Sequence, residues 1–114
     1  MKVVSLSFYR HPASAYESER AGAGRGVFFI NYMRSWIRAH HAVFPDYQLR
    51  IHHDRRVMEY PYWKAIEKFG EAGLVTLIQM GEAGTLCGAM NWRLRPIWDE
   101  NVTHVLCRDM DSMP

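Results

Sequence analysis

Cysteine is scarce in this chain: its 114 residues hold two, Cys87 and Cys107. Two cysteines make neither a disulfide framework nor a zinc ligand set. Both read as small core residues rather than nucleophiles. Charge of one sign is scarce as well. The net charge is +2 with six neutral histidines, too little by itself to argue for a nucleic-acid partner. No stretch approaches the roughly 18–20 apolar residues that a transmembrane helix needs. Met1-Lys2 leads into the short run Val3 to Phe8, which is too brief for a secretory signal and has no small-residue cleavage site. Free cysteines and no signal together lead one to expect a cytoplasmic protein. Internal repeats and low-complexity segments are absent too.

What is present is ordinary folded composition: 48% hydrophobic, 13% aromatic and 23% charged. It excludes disorder and predicts one domain over residues 1–114. A chain of this size buries roughly two-thirds of its unfolded surface, enough for one core. The last residues, Arg108 to Pro114, follow an apolar run with no closing helix. The domain is therefore expected to be incomplete at its carboxyl end.

Short apolar runs alternate with longer helical patterns. Val3 to Phe8 (VVSLSF) is β-branched and reads as a strand. Tyr9 to Arg25 reads as a long loop. From Gly26 to Phe44 the apolar spacing is close to 3.6: Phe29, Met33, Ile37, His40 and Phe44 share a face, with Ile30 and Trp36 beside it. Asn31, Arg34, Ser35, Arg38 and His41 fall on the other face, and Pro45-Asp46 ends the helix. Tyr47 to His53 reads as a second strand. Tyr60 to Phe69 reads as a helix with Pro61 in its first turn and Gly70 at its end. Leu74 to Met80 is a third strand. A third helix is expected to open at Gly84 or Thr85 and to be limited by Pro96. Val102 to Arg108 is a fourth strand.

The order predicts an α/β fold, Rossmann-like β-α-β-α-β-α-β, with a mainly parallel four-stranded sheet. Such sheets place ligands at the carboxyl ends of their strands. Those ends are Phe8-Tyr9-Arg10, His53-Asp54, Met80-Gly81 and Asp109-Met110-Asp111. Asp109 and Asp111 share a side of an extended segment. Paired carboxylates suit a hard divalent cation such as Mn²⁺ or Mg²⁺, although Asp-x-Asp-Ser is also turn-forming sequence.

The glycines at 22, 24 and 26 do not make a phosphate loop. No Lys-Ser/Thr follows them, position 27 is valine, and the loop of about 17 residues is too long for a dinucleotide turn. Asp54 either contacts a base or ribose or caps a turn. Arg93 and Arg95 either pair with a diphosphate or complement a helix carboxyl end. Tyr9 could stack on a base or pack its loop. The pairs His40-His41 and His52-His53 diverge by about 100° on a helix and to opposite faces on a strand, which suits metal binding poorly.

Taken in order, these motifs resemble the amino-terminal, nucleotide-binding half of a GT-A-type glycosyltransferase. The resemblance rests on VVSLSFYR, on Phe29-Ile30-Asn31 running to Phe44-Pro45-Asp46-Tyr47, and on Leu49 to Asp54. It continues through Met90-Asn91-Trp92-Arg93 with Pro96 following, and ends on Arg108-Asp109-Met110-Asp111-Ser112. The last is similar to the Arg-Asp-Leu-Asp-Ser motif of a group of glycosyltransferase-like proteins. Met113 departs from that pattern, which tends to carry a basic residue there.

The resemblance implies that Asp111 ligates Mn²⁺ or Mg²⁺ with Asp109 as its companion. It further implies that Tyr9, Asp54, Arg93 and Asp109 contact a nucleotide-diphosphate sugar, a UDP-sugar foremost, with a glycan or protein as acceptor. The metal would neutralise the departing diphosphate. The acceptor site and any catalytic base would lie beyond Pro114, so the chain alone is expected to bind the donor without transferring the sugar. The alternative is a non-catalytic nucleotide-binding or interaction module with a degenerate site. A phosphatase using Asp-x-Asp as nucleophile and acid fits worse, because that motif belongs on a first strand. An incomplete parallel sheet would also expose an edge or face, for which self-association is the expected remedy.

Overall fold

A computed structural model describes residues 1–8, 26–59, 63–81 and 91–108, with the side chains of the first helix described from Met33 onward. Four strands form one sheet: β1 (Lys2–Phe8), β2 (Gln48–His53), β3 (Thr76–Gln79) and β4 (His104–Cys107). Two α-helices, α1 (Gly26–Val43) and α2 (Trp63–Glu71), join the first three. Short 3-10 segments cover Arg56–Glu59 and Asn91–Trp98.

Every strand pair is parallel, and the spatial order is β3-β2-β1-β4. The architecture is the expected Rossmann-like α/β fold. Val4 pairs with Leu49 on one side and Leu106 on the other, so β1 is central. That position explains its composition. A parallel strand covered on both faces reads as a continuous apolar run, and Val3, Val4 and Leu6 are all fully buried. The edge strands β3 and β4 are half-buried to exposed.

Alternation along the strands sorts side chains to two faces. Val4, Leu6, Phe8, Leu49 and Ile51 join Met33, Trp36, Ile37, Trp63 and Ile66 in the main core. Met33, Trp36, Ile37 and His40 recur at i, i+3, i+4 and i+7 and are all fully buried, which is the apolar stripe read from the sequence. Each aliphatic side chain so buried contributes about 1.5–3 kcal/mol. The opposite face carries Ser5, Ser7 and His52, and Asn91–Trp98 packs there: Arg93 N–H donates to Ser7 Oγ at 3.0 Å.

Two helix boundaries and the burial of one cysteine differ from expectation. The carboxyl cap of α2 is Gly73, not Gly70. Gly73 has φ of +77°, its N–H donates to Gly70 O at 3.0 Å, and Leu74 N–H reaches Phe69 O at 3.0 Å. These are the two bonds of a Schellman cap, and only glycine adopts that φ without strain. Gly70 sits inside the last turn, where a Cβ would meet Leu77 Cδ1 at 3.5 Å. The third helix is a 3-10 segment where it is described, and Pro96 lies inside it rather than ending it. A 3-10 turn would bond the N–H at 96 to the carbonyl of Arg93. Proline has no N–H to give, and that carbonyl accepts the Cys107 thiol at 3.5 Å instead. Cys107 itself is exposed, because β4 is an edge strand, whereas a core position was expected. Cys87 lies outside the described residues.

The amino terminus is tied in. Met1 N donates to Asn101 O at 2.8 Å, and Thr103 N–H donates to Met1 O at 2.8 Å. No helix among the described residues is long and apolar enough to cross a membrane.

Candidate functional site

The strand order fixes where a ligand would meet this sheet. The chain winds from β1 outward to β2 and β3, then crosses back to place β4 on the other side of β1. The winding reverses between β1 and β4, and open α/β sheets bind ligands outside the carboxyl ends at such a point. The carboxyl edge here is formed by Phe8, His53-Asp54, Met80-Gly81 and Arg108.

Backbone bonds hold that edge together. Asp54 N–H donates to Phe8 O at 3.2 Å, Arg55 N–H to Gly81 O at 2.6 Å, Met80 N–H to His53 O at 2.7 Å, and Arg108 N–H to Ser5 O at 3.1 Å. Aromatic rings lie under it on the helix side. Phe8 stacks on Trp63 with centroids 6.3 Å apart, and the His53 ring lies 4.7 Å from Trp63.

Asp54 is fully buried. Its Oδ1 accepts the N–H of Val57 at 3.0 Å, which caps the 3-10 segment Arg56–Glu59. The capping alternative is thus realised at one carboxylate oxygen. Arg93 is half-buried, with its backbone bonded to Ser7 Oγ and to the Cys107 thiol. That puts it against the carboxyl halves of β1 and β4, at the reversal point. Although Cys107 is exposed, partial desolvation of its thiol against the Arg93 segment pushes it up from its ordinary pKa, and the nearby Arg93 charge partly offsets this. Arg95 lies on the same segment but belongs to a different concavity, beside Arg50 and His52.

Tyr9, Asp109 and Asp111 lie outside the described residues, as do the glycines at 22 and 24. Among the described residues no three His, Cys, Asp or Glu side chains gather as a metal cluster.

The sequence placed His53 at this edge only as a poorly arranged metal ligand, and the structure adds two features there. His53 is buried, and its Nδ1–H donates to Asp54 O at 2.8 Å. A carbonyl only accepts, so the neutral ring carries its proton on Nδ1 and Nε2 remains an acceptor. Burial lowers its pKa, against the pull of Asp54 and Glu67. The available signal was its place as the last residue of a strand. The second feature is charge: Arg55, Arg56, Arg93 and Arg108 all belong to this edge, from three separate chain segments. No single stretch of sequence is basic enough to announce it. The other histidine pair behaves differently: His40 is buried, and its ring meets that of half-buried His41 edge-on at 4.9 Å.

Compared with known protein families, curated proteins and solved structures, the chain matches none.

Proposed function

We propose that this chain binds a nucleotide-diphosphate sugar as the donor-binding portion of a metal-dependent glycosyltransferase. The observation that carries the reading is the strand order β3-β2-β1-β4. It puts a topological reversal between β1 and β4, and the Asp109-Met110-Asp111 motif follows β4 directly in sequence. The arginines of the carboxyl edge, Arg55, Arg56, Arg93 and Arg108, supply positive charge suited to a diphosphate. In this reading Asp111 and Asp109 hold Mn²⁺ or Mg²⁺, which would offset the charge of the departing diphosphate. Arg93 contacts the diphosphate, Tyr9 stacks on the base, and Asp54 shapes the loop that borders the ribose.

The test is thermal unfolding with a panel of nucleoside diphosphates, each with and without Mn²⁺, on the chain and on Asp111→Ala. A ligand at 100 times its dissociation constant adds about 2.7 kcal/mol. For a domain of this size that raises the midpoint by roughly 10 °C. The expected result is a shift with one nucleotide that needs both Mn²⁺ and Asp111. A shift with no nucleotide overturns the reading. A shift that ignores Mn²⁺ and survives Asp111→Ala leaves nucleotide binding but removes the glycosyl-donor chemistry.

A further inference from the structure

A second concavity lies on the sheet face turned away from α1 and α2. It measures about 410 Å³ and opens between β2, β3 and the segment Asn91–Trp98. Ligand sites commonly measure roughly 300–1,000 Å³ and combine an apolar lining with a few placed polar groups. Ile78, Met80 and Pro96 supply the apolar lining. Trp98 lines it as well and is 74% exposed, so its indole presents a flat surface on which a ring can stack.

The polar groups differ in how far they are already committed. Arg50 donates to Asp99 Oδ2 at 2.9 Å and to Gln48 Oε1 at 2.7 Å. Arg50 and Asp99 therefore form a neutral pair. His52 is buried, and its Nδ1–H donates to Leu6 O at 3.1 Å, so the neutral ring keeps Nε2 as an acceptor. Arg95 is exposed, and among the described residues its guanidinium has no hydrogen bond or ion pair. Its charge reaches the cavity, since it is one of the cations that add to burial in keeping His52 neutral.

Among the described residues that line it, the concavity thus carries one uncompensated positive charge, that of Arg95. A monoanion would leave it neutral, whereas a cation would add to the charge and a diphosphate would reverse it. We propose that this cavity binds a small planar aromatic carboxylate, with the carboxylate on Arg95 and the ring against Trp98, Ile78 and Met80. A ring hydroxyl would find an acceptor in His52 Nε2. The cavity meets the carboxyl edge at Met80 but opens on the sheet face turned away from α1 and α2, and the proposal does not rest on the nucleotide reading.

The test titrates 4-hydroxybenzoate and its neutral isostere 4-hydroxybenzamide into the full chain by calorimetry. The comparison is repeated with Arg95→Gln and Trp98→Ala. The carboxylate is expected to bind at least about tenfold more tightly than the amide, the scale of one charge-assisted bidentate contact. Arg95→Gln removes that preference and leaves the thermal midpoint unchanged, because Arg95 is exposed and pairs with none of the described residues. Trp98→Ala weakens both ligands alike. Equal binding of the two ligands, a preference that survives Arg95→Gln, no effect of Trp98→Ala, or no binding of either overturns the proposal.

Discussion

Acidifying the solution from about pH 7.5 to about pH 5 protonates histidines in the unfolded chain before it protonates His40, His52 and His53 in the folded one. All three are buried, and burial is the main reason each has its pKa lowered from 6.5. Local contacts sharpen the effect. His40 Nε2–H donates to Tyr47 O at 2.8 Å, while its buried Nδ1 has no partner among the described residues. A second proton would create an N–H with nothing to bond, next to His41. His52 has Arg50 and Arg95 nearby, which also oppose a positive ring. His53 has Asp54 and Glu67 beside it, which partly oppose the effect of its burial. A folded-state pKa below the unfolded value gives stability that is complete above about pH 6.5 and lost as pH falls toward the folded value. Each such histidine changes stability by about 1.4 kcal/mol per pH unit, so three give at most about 4 kcal/mol per unit. Against a total of roughly 5–15 kcal/mol, one unit of acidification removes a large fraction. The thermal midpoint would drop by at most roughly 15 °C per unit. Urea unfolding followed by tryptophan fluorescence at several pH values measures the slope directly. Stability that stays flat between about pH 7.5 and pH 5 would refute the burial of neutral imidazoles in this core.

Trp36→Ala, at a fully buried position of α1, should cost about 3–5 kcal/mol by urea unfolding. Gly73→Ala should cost about 1 kcal/mol, since φ at +77° is strained for any residue with a Cβ although nothing lies within 4 Å. A stabilised Gly73→Ala protein would show that the Schellman cap is not formed. Asp54→Ala removes the acceptor for Val57 N–H and should cost about 1–2 kcal/mol, while Asp54→Asn, which keeps an acceptor oxygen, should cost less. Equal losses for the two would mean that the carboxylate charge matters more than the cap.

The α/β class and the alternation of strands and helices along the chain were legible because the signals are local. VVSLSF is β-branched and apolar throughout, and Met33, Trp36, Ile37 and His40 mark one helical face by spacing alone. Helix ends were legible to within a few residues where proline acts directly, as at Pro45. They were misread where two glycines compete, because only tertiary packing decides that Gly70 stays helical against Leu77 while Gly73 takes the positive φ. Pro96 was read as a stop, yet its missing N–H is tolerated because Cys107, from a strand that follows it in sequence, bonds the carbonyl left over. The carboxyl-edge residues Asp54 and Arg93 could be picked out from their positions after or near apolar runs. Their company could not.

Periodicity and residue type along one segment determine which elements form, because those preferences act over a few residues. The sequence by itself therefore determined the alternating elements, the apolar stripe of α1 and the central run of β1. Strand order, by contrast, depends on which side of β1 the last crossover passes. That choice is made by contacts between residues nearly the whole chain apart, such as Ser5 with Cys107 and Met1 with Asn101. Only the tertiary structure could put the reversal between β1 and β4, bring Arg55, Arg56, Arg93 and Arg108 to one edge, and set Arg95, unpaired among the described residues, beside Trp98 on the sheet face turned away from α1 and α2.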